Sequence, residues 1–261
     1  MTAPAAEITS TTPTPPASST RRDLLELAVG YTLIMATIWT QNPTQRILYW
    51  LAFAWIAGTT WSRREGWAAL GLSRKGFVPS LWIAAVAFLL SGLTVFLAWR
   101  TGRLHPLHGN TPLFFHGGGY IVWALMQQFI LQSYFLQRLL RLLPGTALPV
   151  IAATIIFAVA HLPNPVLTPL TLIWGAISCI LFLRYRNIYS LGIAHGIMGL
   201  CVAVTVPNAM HRHMRVGLGY LRYYRHHQHD RSPSPPLQRS QSDQSVSTEA
   251  WVIAEAPTRR S

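Results

Sequence analysis

The chain has 261 residues, 51% of them hydrophobic and only 11% charged, with ten tryptophans. That balance is too apolar and too poor in charge for a soluble domain of this size and makes a helical membrane protein the default. The formal charge of +13 would point to nucleic acid in a soluble protein, but here the arginines fall between apolar runs and in the C-terminal tail. They read as topology signals and lipid-headgroup contacts, with no nucleic acid as partner.

Residues 1–20 are mostly Thr, Pro, Ala and Ser, a composition expected to be disordered. Arg21-Arg22-Asp23 opens the first apolar run, Leu24 to Trp39. No small-residue cleavage site follows the twin arginines, and Gln41-Asn42-Pro43 reads as a turn, so the pair flanks an uncleaved first helix. Arg46 to Ser62 is short and rich in Trp and Tyr, as suits an interfacial anchor. Arg63 to Pro79 is a basic amphiphilic loop with Leu70-Gly71-Leu72 in its middle. Leu81 to Trp99 is near the ~20 residues that cross about 30 Å of hydrocarbon. Arg100 to Gly119 is a Gly- and His-rich loop whose His105, His108 and His116 lack acidic or Cys partners, so they read as exposed loop histidines. Four further runs follow: Tyr120 to Leu143, Leu148 to His161, Val166 to Leu183 and Ile188 to Val206. Their short connections predict antiparallel packing of consecutive helices.

The expected fold is therefore all-α: a polytopic helical membrane bundle of about seven to eight transmembrane helices within residues 21–207. The basic segment 208–230, dense in His, Arg and Tyr from His211 to His229, is expected to form an eighth re-entrant element or a helix along the lipid interface. Residues 231–261 are Ser-, Pro- and Gln-rich and expected to be disordered. Arginines before the first, third, fifth and seventh spans place the N-terminus in the cytoplasm. Cys179 and Cys201 sit in apolar runs, which argues against a disulfide framework or a thiolate metal site.

Three of the apolar runs carry polar groups where lipid-embedded helices should have none: Gln127, Gln128 and Gln132, then His161 beside Asn164, then His195 flanked by Gly192, Gly196 and Gly199. Such groups face a protein interior or a cavity and mark function by default. Amides on one helix also serve as bundle glue, and a lone buried histidine is often a packing residue, so each feature has a structural reading as well. The small residues around His195 let another helix approach closely. Gln128 and Gln132 are four apart and share a helix face, so Gln128 is expected to line the cavity with both histidines while Gln127 points about 100° away; the alternative is that Gln127 faces the cavity and Gln128 packs against a neighbouring helix. Two imidazoles on adjacent helices could share a divalent metal or polarise a carbonyl. After Glu65 no carboxylate occurs until Asp230, so a mechanism needing one must borrow it, from Glu26 or Glu65 for example.

The adjacent polar pair of the fourth run, Phe157-x-x-x-His161 and His195-x-x-x-Gly199 together resemble the CPBP intramembrane protease family, also called the CAAX prenyl protease 2 or Abi family. Order and spacing match over roughly residues 120 to 205, with support from Leu70-Gly71-Leu72 and Arg184-Tyr185-Arg186. The family pattern is Glu-Glu-x-x-x-Arg, Phe-x-x-x-His, and His-x-x-x-Asn or a small residue. The resemblance implies an intramembrane metallo-endopeptidase of a bacterial plasma membrane, with Gln127, Gln128, His161 and His195 at the catalytic positions. It also implies Gln132, Asn164 and Gly199 around the cavity, and His161 and His195 as ligands of a divalent metal such as zinc. The partners implied are membrane lipids and a membrane-anchored or prenylated peptide. Here the glutamate pair is Gln127-Gln128, the arginine is Gln132, and the asparagine is Gly199. An amide cannot accept a proton from water at neutral pH, so whether the chain is an enzyme stays open against a non-catalytic relative that binds peptide or lipid, confers bacteriocin immunity or acts as a scaffold. A transporter ranks below both, since the sequence carries no inverted repeat or pair of broken helices.

Overall fold

The structure, a computed structural model, describes residues 17–105 and 113–229. Within them the regular elements are helical: α1 Ala17–Ile38, α2 Thr44–Ser62, a 3₁₀ turn Arg74–Gly76, α3 Phe77–Arg100 and α4 Leu113–Gln128. A π-helical segment Phe129–Leu136 continues α4 into α5 Gln137–Leu142, followed by α6 Ala147–Val159, α7 Leu167–Tyr185, α8 Ile188–Thr205, α9 Asn208–His211 and α10 Gly217–His229. The seven apolar runs of the sequence are all helices, and the first begins at Ala17, inside the stretch expected to be disordered. Residues 1–16 and 230–261 lie outside the described residues. The chain divides into two units after Arg222, and the bundle belongs to the first.

Among the described residues three helices are long and apolar enough to cross a membrane: Arg74–Arg100, Leu167–Tyr185 and Ile188–Thr205, while Ala147–Val159 is apolar but shorter. The expectation of seven to eight crossing helices is thus met by fewer on length and apolarity alone. Arg21, Arg22, Asp23 and Glu26 enter the first turns of α1, and glutamines and arginines interrupt the run from α4 to α5. Those polar helices are sustained by neighbours rather than by lipid.

Helix pairing follows small residues more than chain order. α1 packs on α2 and α6 on α7, as expected of consecutive helices, but α3 and α4 both pack chiefly on α8. On the α8 face toward α4, a Cβ at Gly192 would lie 2.3 Å from the Leu125 side chain, and one at Gly196 2.8 Å from Ile121. On the face toward α3, Ser80 and Ser190 hydroxyls meet at 2.6 Å. Close backbone approach of this kind replaces the hydrophobic drive that lipid cannot supply.

Residues 131–139 are buried without interruption, so the π segment and the start of α5 are enclosed on every side, as a central helix must be. Against this core lies the loop before α3, which is docked rather than surface-lying. Ser133 donates to the Leu70 carbonyl at 2.6 Å and Gln137 Nε2 to that of Ala69 at 2.6 Å. The Ile188 amide donates to Gly71 at 3.0 Å and Asn187 Nδ2 to Ser73 at 3.0 Å. Irregular backbone persists in such surroundings only when its carbonyls are satisfied this way. Gly71 adopts φ +72, and a Cβ there would meet the Phe182 ring at 2.5 Å, so the Leu-Gly-Leu signature is a packing requirement.

At one end of the bundle lies an ionic network that sequence reading did not single out. Arg138 is fully buried; its Nε donates to Glu26 at 2.8 Å and its Nη1 to the Tyr134 carbonyl at 3.0 Å. Its guanidinium also stacks 3.8 Å over the Tyr134 ring. Glu26 further accepts from Arg22 and Arg63, each at 2.8 Å. Asp23 pairs with Arg63 at 2.7 Å and Arg141 at 3.0 Å, and Arg141 reaches Glu65 at 3.0 Å. Asp23, Glu26 and Glu65 are all the carboxylates among the described residues, and arginines hold every one.

The basic segment expected from His211 onward is held to the bundle over its first part. Asn164 Nδ2 donates to the carbonyls of His211 and Arg215, each at 2.9 Å, and the Gly217 amide donates to Leu162 at 2.8 Å. Arg212 stacks 3.8 Å over the ring of Tyr220. His211 is buried, with Nε2 donating to Val206 at 2.9 Å and Nδ1 accepting from the Met214 amide at 3.1 Å. Residues 207–220 therefore fold back onto the turn after α6 because these polar groups find their partners there.

Two outcomes are expected. Glu26→Ala strands the buried Arg138 charge and should cost about 3–5 kcal/mol, read as a lowered melting temperature in detergent, with much of the loss recovered in Glu26→Ala/Arg138→Leu. A single variant that melts like the wild type would mean the pair does not hold the bundle end. For His211, burial foremost holds the imidazole below the ordinary histidine range. Its stabilising contribution is then complete above the unfolded value of about 6.5 and is lost as pH falls below it. The protection factor of the Met214 amide should fall on acidification in the wild type, and a His211→Gln variant should lack that pH step.

Candidate functional site

The amide helix, the turn after α6 and the middle of α8 meet at a cavity of about 1840 Å³. Gln127, His161, His195, Tyr120, Trp174 and Gly199 contribute to its wall. Pro163 cannot donate to the last turn of α6, so the helix stops at Val159 and His161 stands in the turn that follows. Its Nδ1 donates to the Phe157 carbonyl at 2.8 Å. The Phe157 ring bridges the two imidazoles, 4.8 Å from that of His161 and 6.0 Å from that of His195, while Trp174 stands 6.1 Å from His195 on its other flank. The phenylalanine of the second motif thus sets the spacing of both histidines.

Gln128 sits behind this wall. It is fully buried, as is Gln132, and its Nε2 meets His195 Nδ1 at 3.2 Å. Gln132 Nε2 donates to Gln128 Oε1 at 3.3 Å and to Ser178 Oγ at 3.1 Å. The i,i+4 spacing does put Gln128 and Gln132 on one face, but that face meets α7 and α8, and the cavity takes Gln127 instead. Neighbouring residues of a helix point about 100° apart, and the rotation of α4 turns Gln127 to the wall and Gln128 to His195.

Asn164 is another correction. It is fully buried, its Oδ1 accepts from the amides of Val166 and Leu167, each at 3.0 Å, and its Nδ2 holds two carbonyls of the 207–217 segment. Its Oδ1 serves the start of α7 and its Nδ2 the segment after α8, so every polar atom of the side chain is committed away from the cavity. At Gly199 a Cβ would fall 2.3 Å from the Tyr120 hydroxyl. The missing side chain is what lets Tyr120 reach the wall one turn along α8 from His195. Tyr120, Trp174 and Ser178 had no signal in the sequence, because single aromatic and hydroxyl residues are common in membrane helices.

The carboxylates that could have been borrowed are committed elsewhere. Glu26 is held by three arginines, and Glu65, which borders another part of the cavity, is held by Arg141. Among the described residues no three of His, Cys, Asp and Glu cluster as a metal site. Of the loop histidines, His105 donates its backbone amide to Val204 at 2.8 Å. His108 lies outside the described residues, and His116 lies within α4. Chemically, the part of the wall around the two imidazoles offers the Gln127 amide and the Tyr120 phenol, and the carboxylate that borders the cavity elsewhere, Glu65, is paired with Arg141.

Residues 109–201 match the family model described as Rce1-like, Type II CAAX prenyl endopeptidase Rce1-like. That range holds the amide helix and both histidines and leaves out α1 to α3. No curated protein and no solved structure matches the chain.

Proposed function

We propose, from the premise that the chain belongs through residues 109–201 to the Rce1-like type II CAAX prenyl endopeptidase family, that this integral membrane protein is an endopeptidase of impaired catalysis. Its cavity receives a membrane-anchored peptide, prenylated in the family's manner, and hydrolyses it slowly. The observation that carries this reading is the site's neutrality: Gln127 and Gln128 stand where the family has glutamates, and each described carboxylate is tied to arginine. Loss of general-base assistance typically costs 10²–10⁴-fold in rate.

What remains can still move a proton. In hydrolysis the water oxygen bonds to the carbonyl carbon, the C–N bond breaks, and a proton of the water ends on the departing amine. His161, with Nδ1 committed to Phe157, keeps Nε2 for carrying that proton. A divalent cation such as zinc does not fit these donors. Two neutral imidazoles and amides would leave its charge uncompensated in a low-dielectric core, so no step is drawn through it.

A bacterial plasma membrane with the N-terminus in the cytoplasm is the setting consistent with the arginine-bearing loops, and lipid headgroups are the partners suited to the Arg and Tyr residues of α10. The non-catalytic alternative, a relative that binds peptide or lipid in immunity or as a scaffold, is the limit of the same reading in which the rate reaches zero.

The test is cleavage of a prenylated, membrane-anchored peptide by the purified protein. The wild type is expected to bind the peptide and turn it over feebly. Gln127→Glu, which places a carboxylate in the cavity wall, should raise the rate by about 10²-fold or more. Gln128→Glu, behind the wall, should do less. Brisk wild-type turnover that survives Glu65→Gln would refute impairment, and absence of peptide binding would refute the endopeptidase-type reading altogether.

A further inference from the structure

Resting on the reading of this cavity as the family's site in altered form, we propose that Gln128 is a positioning residue that fixes His195 as its Nε2–H tautomer, so that the two histidines present opposite atoms to one cavity. His161 offers a bare Nε2, and His195 an Nε2–H.

The assignment follows from what each partner can do. A backbone carbonyl only accepts, so the 2.8 Å contact between His161 Nδ1 and Phe157 requires the hydrogen on Nδ1 and leaves Nε2 bare. For His195 the partner is an amide, and the amide's orientation decides. Gln128 Oε1 already accepts from Gln132 Nε2 at 3.3 Å, which turns the Gln128 NH₂ toward His195 Nδ1 at 3.2 Å. An NH₂ group only donates, so Nδ1 is the acceptor and the hydrogen sits on Nε2.

Gln132 is oriented in turn by Ser178 Oγ at 3.1 Å, and Ser178 donates to the Gly175 carbonyl at 3.2 Å. The bonds diverge from Gln132 Nε2, one arm running through Ser178 to the Gly175 carbonyl and the other through Gln128 to His195. Reversing both amides would put the two-hydrogen nitrogen of Gln132 where its Oε1 now lies buried and without a partner. It would also leave Ser178 to abandon Gly175. The direction given strands one acceptor, and the reverse strands two donors, a larger penalty for buried groups.

The substitution of glutamate by glutamine then has a consequence beyond the lost base. A carboxylate at 128 would accept from Nδ1 and leave Nε2 of His195 bare, so that two lone pairs would face the cavity. The amide inverts one of them. His195 becomes a hydrogen-bond donor suited to a carbonyl oxygen of a bound peptide, and only His161 can accept a proton.

Imidazole nitrogen NMR of histidine-¹⁵N-labelled full-length protein in nanodiscs at neutral pH tests this without any assay of turnover. His161→Gln and His195→Gln spectra assign the signals. The wild type is expected to show His195 protonated at Nε2 and His161 at Nδ1. Gln128→Glu should move the His195 hydrogen to Nδ1, or protonate both nitrogens, with His161 unchanged. Gln128→Leu should release His195 into a mixture. A purely structural role for Gln128 would lower thermal stability in these variants and leave the tautomer where it was. Wild-type His195 protonated at Nδ1 overturns the proposal even if neither variant folds, as does a tautomer unmoved in both. The split tautomers in a protein that binds no peptide would uphold this inference and remove the functional reading on which it was built.

Discussion

Arg138 cannot be hydrated where it lies, and that constraint governs the placement of charge in the rest of the molecule. A guanidinium fully enclosed at the start of α5 needs an anion within hydrogen-bond reach, and Glu26 of α1 provides it at 2.8 Å. Glu26 brings Arg63 from the end of α2, Arg63 brings Asp23, and Asp23 brings Arg141. The two N-terminal helices are thereby fastened to the central helix through charge, where α3, α4 and α8 are fastened through glycine and serine contacts. Because this network absorbs the carboxylates of the described residues, none stands beside the two histidines of the cavity wall.

A neutral site suits its surroundings. Amide and imidazole groups can satisfy one another by hydrogen bonding in a medium where an isolated carboxylate would be costly. The Ser178, Gln132, Gln128 and His195 chain does so with one buried acceptor left over, Gln132 Oε1. It spans the junction of α4 with the π segment, a helical form found most often where a functional side chain must be re-aimed. Polar satisfaction thus sets the geometry, and the same satisfaction takes Gln128 out of reach of anything in the cavity.

Much of this was legible in the sequence, for reasons that also mark its limits. Apolar runs bounded by arginine and proline give helix positions because hydrocarbon tolerates no other backbone, and α2, α7 and α8 begin and end within a few residues of the runs that predict them. Histidines in such runs point inward for the same reason, and His161 and His195 do share a cavity wall. Which of two adjacent glutamines faces that wall depends on the rotation of α4 against α8, set by Leu125 and Ile121 meeting Gly192 and Gly196, and no periodicity carries that information. Asn164 looked like a site residue beside a histidine and proved to be a cap. The basic composition after α8 suggested lipid, but Asn164 and Leu162, far away in the sequence, hold the backbone of His211, Arg215 and Gly217. Arg138 passed unnoticed because an arginine near the end of an apolar run ordinarily signals topology rather than burial.

The absence of charge at both positions 128 and 132 is consistent with their geometry. The two side chains touch at 3.3 Å in a fully buried layer, so a carboxylate at one would need a cation at the other, and a guanidinium at 132 without an acid at 128 would repeat the problem that Arg138 solves only by recruiting α1. No free carboxylate among the described residues remains to be recruited. Either both positions are charged or neither is stable as a charge, and a lone glutamate at 128 would draw a proton or force His195 to carry one. Position 127 escapes this coupling because it borders the cavity, where water can share the charge. The route by which such a site could regain a base therefore runs through the wall residue, or through 128 and 132 together.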